Sequence, residues 1–254
     1  MLSPPWQLSV LAPFLALLAG CVQPVHEFQP MQTKLLEKQV NACRTLVLSV
    51  TPGDATAMLS RHKLPPSPKR EVTLGSAAPV SADGYFLTAD HVVSGQTGNE
   101  FVLIYDVAGH RQYGRATVVW EDAHADLALL RSTLNTPSYY PFSPRDKDLP
   151  QGTPIFHTGM ATGNKAQIGR LSERVSGRGT ANFLHTLRLA PGDSGGPVLL
   201  LSGELVGVNS AVGYLTALDT TFFSASRSSR PDPHSILAII AKDVVKRRLA
   251  SIPP

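Results

Sequence analysis

The chain has 254 residues, 43% of them hydrophobic and 17% charged, a balance that excludes a disordered polypeptide and suits one large globular unit or two small ones. The formal net charge of +4 is small and scattered, so it gives no argument for a nucleic-acid partner. The 20 glycines and 21 prolines suit many short strands joined by tight turns.

Residues 1–20 read as a targeting segment rather than as fold. Val10 to Leu18 is apolar but short, whereas a membrane-spanning helix needs about 20 apolar residues. The Leu18-Ala19-Gly20-Cys21 string that follows resembles the lipobox of bacterial lipoproteins. That resemblance implies cleavage before Cys21, lipidation of Cys21 and attachment to a membrane through the lipid. Val22 next to it, where an aspartate would retain the protein elsewhere, implies an outer-membrane lipoprotein facing the periplasm. One departure is the absence of Lys and Arg from Met1 to Gln7; an ordinary secretory signal that contains Cys21 is the alternative. The second cysteine, Cys43, is left without a partner if Cys21 is acylated, so no disulfide framework is expected.

Residues 21–41 read as a tether with a short helix over Met31 to Val40, and 42–254 as the folded domain. Thr45 to Val50 is a first β-strand. Pro52 to Arg70, with its prolines and basic residues, reads as an exposed loop. Val72 to Val80 and Tyr85 to Thr88 flank Asp83-Gly84, a strong hairpin signal. Glu100 to Val107 pairs with Arg111 to Trp120, and Asp126 to Arg131 is an apolar strand entered through an aspartate. Residues 132–152, rich in Pro, Ser and charge, link two halves.

The second half resumes with strands over Thr153 to His157, Ala166 to Val175 and Phe183 to Leu189. Pro197 to Leu201 and Glu204 to Val208 form a hairpin, and Leu218 to Ala225 reads as the last strand. Ser235 to Leu249 has helical periodicity, with Ile236, Ile239, Ile240, Val244 and Val245 on or near one side and a basic end that suits the helix dipole.

The chemistry concentrates in Gly192-Asp193-Ser194-Gly195-Gly196-Pro197. Glycines allow a sharp bend that exposes a serine hydroxyl and aims successive N–H groups at one point. A serine nucleophile needs a base, and the base an orienting carboxylate. Thr88-Ala89-Asp90-His91-Val92-Val93 and Asp126-Leu127-Ala128-Leu129-Leu130 supply His91 and Asp126. Of the rival bases, His110, His157 and His185 lack the flanking pattern, and His124 lies only two residues from Asp126, too close for its ring to reach both Asp126 and Ser194. In order and rough spacing these three segments resemble those of the trypsin/chymotrypsin-like serine proteases. Gly75-Ser76, Gly207-Val208-Asn209-Ser210-Ala211 and Asp122 ahead of Asp126 resemble the bacterial HtrA/Deg-type branch.

The resemblance implies an all-β fold of two packed six-stranded antiparallel β-barrels with a C-terminal α-helix. It implies a serine endopeptidase acting on protein or peptide substrates with Ser194 as nucleophile, His91 as base and Asp126 orienting the imidazole. It further implies an oxyanion hole from the N–H groups of Gly192 and Ser194, and a substrate pocket lined by Leu187, Leu189, Ala190, Ser210, Ala211 and Val212. The position six residues before Ser194 is Arg188, and no acid lies in either pocket segment. Cleavage after small or medium apolar residues is therefore expected, with acidic residues preferred instead if Arg188 turns into the pocket. No cofactor fingerprint or metal-ligand pattern is present, so neither is expected. Asp193 departs from the Asn usual in the HtrA/Deg branch, and no activation-site Ile-Val-Gly-Gly occurs upstream, so activity without chain cleavage is expected. The 60 residues after Ser194 finish the barrel and helix and leave no room for the PDZ domain typical of that branch. A catalytically inactive binding or scaffold lipoprotein on the same fold is the alternative function, and ester hydrolysis a further one.

Overall fold

The computed structural model describes residues 34, 44–64, 73–107, 109–144, 148–158, 166–175, 181–218 and 221–251, without the side chains of 107, 181 and 211–225. Cys21 and Cys43 lie outside these, as does the helix expected over Met31 to Val40 apart from Lys34, which is helical.

The first half is a closed antiparallel barrel in the order β1-β2-β3-β6-β5-β4. Its strands are β1 (Arg44–Val50), β2 (Thr73–Pro79), β3 (Tyr85–Thr88), β4 (Glu100–Val107), β5 (His110–Asp122) and β6 (Leu127–Ser132). Closure comes from β1, which pairs with β2 through Val47↔Gly75 and with β4 through Val47↔Leu103. No edge strand is left to be satisfied. Every residue of β3 and the first four of β6 are buried, because these strands face the barrel interior on one side and other elements of the fold on the other.

Residues 52–61, expected as loop, form helix α1 (Pro52–Arg61). The proline that suggested a loop occupies the first helical turn, where its missing N–H costs nothing. Thr51 caps the helix by accepting from Asp54 N at 3.2 Å, and the chain leaves it through His62 in the left-handed region (φ 51°). Ala55 and Met58 are the buried face, packed with Leu48, Val50, Val102 and Ile104 on the outside of the barrel.

Six strands of the second half form a sheet in the order β8-β7-β10-β11-β12-β9. They are β7 (Pro154–His157), β8 (Gln167–Arg170), β9 (Ala181–His185), β10 (Pro197–Leu200), β11 (Leu205–Leu218) and β12 (Thr221–Arg230). The sheet curls without continuous closure; an isolated bridge, Leu171↔His185, joins its two ends. The second half is thus a half-barrel. The last hairpin also differs from expectation. Leu218 ends β11 and β12 runs on to Arg230, since long β11 bulges twice between Asn209 and Tyr214 and displaces the turn.

Helix α3 (Pro233–Ala250) is capped by Asp232 and returns to the first barrel. Ile236 and Ile240 join a core with Tyr85, Leu87, Leu129, Phe156 and Val208, so one apolar cluster spans both halves and the helix. Val245, expected near the apolar side, is 56% exposed. Tyr85 ties the helix down: its hydroxyl donates to Asp243 at 2.7 Å and accepts from Arg247 at 2.8 Å. Among the described residues no helix is long and apolar enough to cross a membrane.

Candidate active site

His91 and Asp126 come from the same rim of the closed barrel. After β3 the chain makes one helical turn, α2 (Asp90–Val93), whose Val92 and Val93 are buried and leave the His91 ring half exposed. Asp126 lies where β5 turns into β6, in the left-handed region at φ 51°, a conformation that aspartate tolerates better than most residues. The turn is held by Asp122, whose carboxylate accepts from Ala125 N at 2.9 Å. That bond gives a physical reason for an aspartate four residues before Asp126.

The Asp126 carboxylate receives His91 three times: Nδ1 stands 3.0 and 2.9 Å from its two oxygens, and the His91 backbone N–H donates to Oδ1 at 3.0 Å. Ser210 Oγ also donates to Oδ2. Ser210, expected in the substrate pocket, therefore has its side chain committed to the carboxylate, with Arg227 reaching it at 3.4 Å. The hydrogen bond that His91 donates to Asp126 raises the His91 pKa above its ordinary 6.5 against the opposing effect of burial. For Asp126, burial pushes the carboxyl up, but the hydrogen bonds from His91 and Ser210 outweigh it and the net shift is downward. The dyad thus favours a charged or proton-accepting imidazole with Nδ1–H on the carboxylate, which leaves Nε2 free to take a proton.

Ser194 lies on the loop before β10, and both halves hold that loop. Ser76 of β2 donates its N–H to Ser194 O at 2.7 Å and its hydroxyl to Gly192 O at 2.8 Å. Thr88 Oγ1 in turn donates to Ser76 O at 2.8 Å. Gly195 has φ +84°, and a Cβ there would lie 2.1 Å from Ser76 O and 2.2 Å from Thr88 Oγ1. Only glycine lets the loop sit this close to the first barrel. On the other side, Gly195 N donates to Asn209 O and Asn209 N to Gly196 O.

Within the loop, Asp193 N donates to Ala190 O at 3.0 Å, and Gly192 takes the positive φ (100°) that this turn requires. Among the described residues, the N–H groups of Gly192 and Ser194 meet no protein acceptor. Two free amides on either side of one residue are what an oxyanion hole requires. No hydrogen bond joins Ser194 Oγ to His91 among the described residues; such contacts commonly tighten only around substrate.

Leu189 and Ala190 are half-buried beside this loop, with Leu189 packed on the second half's own core. Leu187, expected as a pocket wall, is 2% exposed and turned into that core beside Val198 and Phe183; its carbonyl accepts from Ser226 Oγ at 2.8 Å. Arg188 is exposed. The side chains of Ala211 and Val212 lie outside the described residues. Of the rival bases, His110 and His124 are exposed, while His157 and His185 are fully buried in the second half.

Sequence reasoning missed two residues that fix the loop and a third that lies against it. Ser76 and Asn209 stood inside quoted motifs, but nothing local assigned them a task. His157, weighed only as a base, lies 3.5 Å from Asp193 through Nε2, with both side chains 0% exposed.

A profile of the trypsin-like peptidase domain matches residues 75–208. A probable periplasmic serine endoprotease of DegP-like type from Marinomonas sp. (strain MWYL1) is 31% identical over 157 residues, which are 59% of this chain and 32% of that protein. The magnetosome formation protease MamE of Paramagnetospirillum magneticum is 28% identical over 159 residues, 59% of this chain and 22% of that protein. The chain therefore spans about a third or less of the length of these curated relatives. Among solved structures, the HtrA-type protease AlgW with tripeptide superposes with TM-score 0.55 at 22% identity, over 80% of this chain and 62% of that one. The Rv3671c protease of M. tuberculosis in its active form gives TM-score 0.56 at 19% identity, over 95% and 94% of the two chains. These structural likenesses share the fold described above, and with a profile that spans more than half of its length, the chain belongs to the trypsin-like peptidase domain family.

Proposed function

We propose that the chain is a serine endopeptidase working through an acyl-enzyme. Ser194 Oγ attacks the scissile carbonyl while His91 Nε2 accepts its proton and later returns it to the leaving amine. Asp126 holds the Nδ1–H tautomer and stabilises the imidazolium, and the N–H groups of Gly192 and Ser194 receive the oxyanion. The observation that carries this reading is the His91–Asp126 pair, with Nδ1 at 3.0 and 2.9 Å from the two carboxylate oxygens. The DegP-like relatives, named as periplasmic serine endoproteases, support the same class. Labelling by a fluorophosphonate probe, mapped to Ser194 and lost on heating, tests it together with digestion of casein. An unlabelled Ser194 would instead favour a binding or scaffold lipoprotein. Labelling without casein digestion would restrict the activity to esters.

In this reading residues 42–254 form the catalytic unit, 1–20 a signal and 21–41 a tether from a lipidated Cys21, holding the enzyme on the periplasmic side of the outer membrane. Mass spectrometry of the mature N-terminal peptide tests this; an unmodified Cys21 refutes it. Substrate residues before the cut are small or medium and apolar, accommodated by Leu189 and Ala190 with Ala211 and Val212. The exposure of Arg188 supports this over an acidic preference.

A further inference from the structure

We propose that His157 is the positioning residue of the nucleophile loop: through Asp193 it holds the Gly192 and Ser194 N–H groups in place to receive the oxyanion. The inference rests on the proposed serine-protease reading and deepens it. Asp193 sits between the two donors, and its carboxylate is 0% exposed. A buried carboxylate without a partner is costly by several kcal/mol. Among the described residues, the groups that face Asp193 Oδ2 are Ala190 N–H at 2.9 Å and His157 Nε2 at 3.5 Å. The first closes the 190–193 turn from within. The second, an ion contact longer than a hydrogen bond, sets that turn against the end of β7.

His157 is itself oriented by a chain of buried groups whose donor direction is set by its first member. At one end Leu187 N–H, a donor only, reaches His185 Nδ1 at 3.3 Å. Nδ1 is therefore the acceptor, and the proton of neutral His185 is on Nε2, 2.7 Å from Ser228 Oγ. Burial above all, with His157 adding to it, pushes His185 down to about 3, which keeps it neutral. Ser228 Oγ then donates to Asn209 Oδ1 at 3.1 Å, so Asn209 Nδ2 is what faces His157 Nδ1 at 3.2 Å. An amide nitrogen only donates, so His157 Nδ1 accepts and Nε2 carries the hydrogen. Nε2 makes no hydrogen bond among the described residues, and the charged group it stands beside, at 3.5 Å, is Asp193 Oδ2. His157, His185, Asn209 and Ser228 are each 0% exposed, so water does not compete for these contacts. The hydrogen-bonded relay starts at Leu187 and ends at His157, which stands beside Asp193, and so underlies the segment that leads into the nucleophile. Ser76 braces it from the opposite barrel.

The test uses the full chain and four variants: His157→Leu, His157→Gln, Asp193→Asn and the double variant His157→Leu/Asp193→Asn. The readouts are kcat and KM on p-nitrophenyl acetate, the rate of fluorophosphonate labelling at Ser194, and melting temperature. Loss of one oxyanion donor costs about 10²–10³ in kcat. His157→Leu should therefore lower kcat at least tenfold with KM little changed. His157→Gln, whose amide can both donate to Asp193 and accept from Asn209, should recover part of the loss. The His157→Leu and Asp193→Asn losses should be strongly non-additive, because one residue acts through the other. Wild-type kcat in His157→Leu overturns the inference, as do losses that simply add. If His157→Leu fails to fold, recovery of folding in the double variant, where no buried charge lacks a partner, supports the inference; no recovery overturns it. A wild-type chain that leaves the probe unreacted overturns the proposed function and this inference with it, whereas a reactive wild type with equally reactive variants overturns this inference alone.

Discussion

The first half closes its sheet and buries apolar side chains on both faces of its wall, with Tyr85, Phe86, Leu87, Leu103 and Leu129 all 0% exposed. Among the described residues, the second half's sheet is joined at its ends by the single bridge Leu171↔His185, and its buried side chains include His157, His185, Asn209, Ser228 and Arg230. An apolar core gains stability roughly in proportion to the area removed from water and tolerates modest repacking. A buried polar chain gains little on balance, but losing any one member leaves its neighbours unsatisfied. The closed barrel is thus suited to bearing the stability, and the open sheet to fixing the direction of a few N–H and O–H groups. The proposed reaction needs both, because His91 and Asp126 belong to the first half and Ser194 to the second.

The most severe way to break this division is to remove a group that crosses it. Ser194→Ala should abolish turnover, by on the order of 10⁴–10⁶-fold, without lowering the melting temperature. His91→Ala should be comparably severe, and the pair no worse than either alone, since the two halves act as a unit. Peptide hydrolysis with titrated enzyme measures this; multiplicative losses would separate the two residues.

A fold-only counterpart lies deep in the closed barrel. Leu103→Ala removes a fully buried side chain and should cost about 2–5 kcal/mol, read as a lower denaturation midpoint. Labelling of Ser194 well below that midpoint should stay near wild type. A selective loss of labelling would mean that the barrel core governs the site directly.

The third prediction concerns pH. His91 must be neutral to accept the Ser194 proton, and its hydrogen bond to Asp126 raises its pKa above 6.5. The acid limb of kcat/KM should therefore have its midpoint above that value, and Asp126→Asn should move it down. Stability runs the other way. The raised His91 pKa contributes stability that is fully present below the unfolded-state value and lost as pH rises through the folded one. The lowered Asp126 pKa contributes stability present above its ordinary 3.8 and lost as pH falls through its folded value. Activity should thus rise over a pH range in which the dyad's own contribution to stability declines. An acid limb centred below 6.5 would contradict the assignment of His91 as base.

The same contrast decides what was legible in the sequence. Asp83-Gly84 announced its hairpin, and the apolar run after Asp126 its strand, because both patterns are local. The three segments bearing His91, Asp126 and Ser194 were recognisable because each carries its own flanking residues. Helix α1 was missed because Pro52 looks the same at the start of a helix as in a loop; the Thr51–Asp54 cap was the available signal. Ser210 and Leu187 were assigned to the pocket from their place in the chain, whereas Ser210, at a bulge of β11, turns onto Asp126 and Leu187, past the end of β9, turns into the core. The His157 relay has no local signature. Its contacts join residues 52, 19 and 43 positions apart, and only the sheet brings them together.

The smallest expected effect lies where the chain's end returns to the first half. Tyr85 is the last link of that return: its ring is buried, while its hydroxyl bonds to Asp243 and Arg247 of α3. Tyr85→Phe keeps the ring and its packing and removes both bonds. Asp243 and Arg247 remain paired at 3.1 Å, so no charge is stranded and the cost should be about 1–2 kcal/mol. Burial first, and then the bond to Asp243, raise the Tyr85 pKa above 10. The neutral phenol is therefore favoured in the fold. Its contribution should be complete below the unfolded-state value and decline as pH rises through the folded one. Wild type and Tyr85→Phe should accordingly converge in stability at strongly alkaline pH and differ at neutrality, with Ser194 labelling unchanged in both. A variant that lost labelling at neutral pH would show that α3 acts on the site through the closed barrel, and the two halves would then not divide their work as argued.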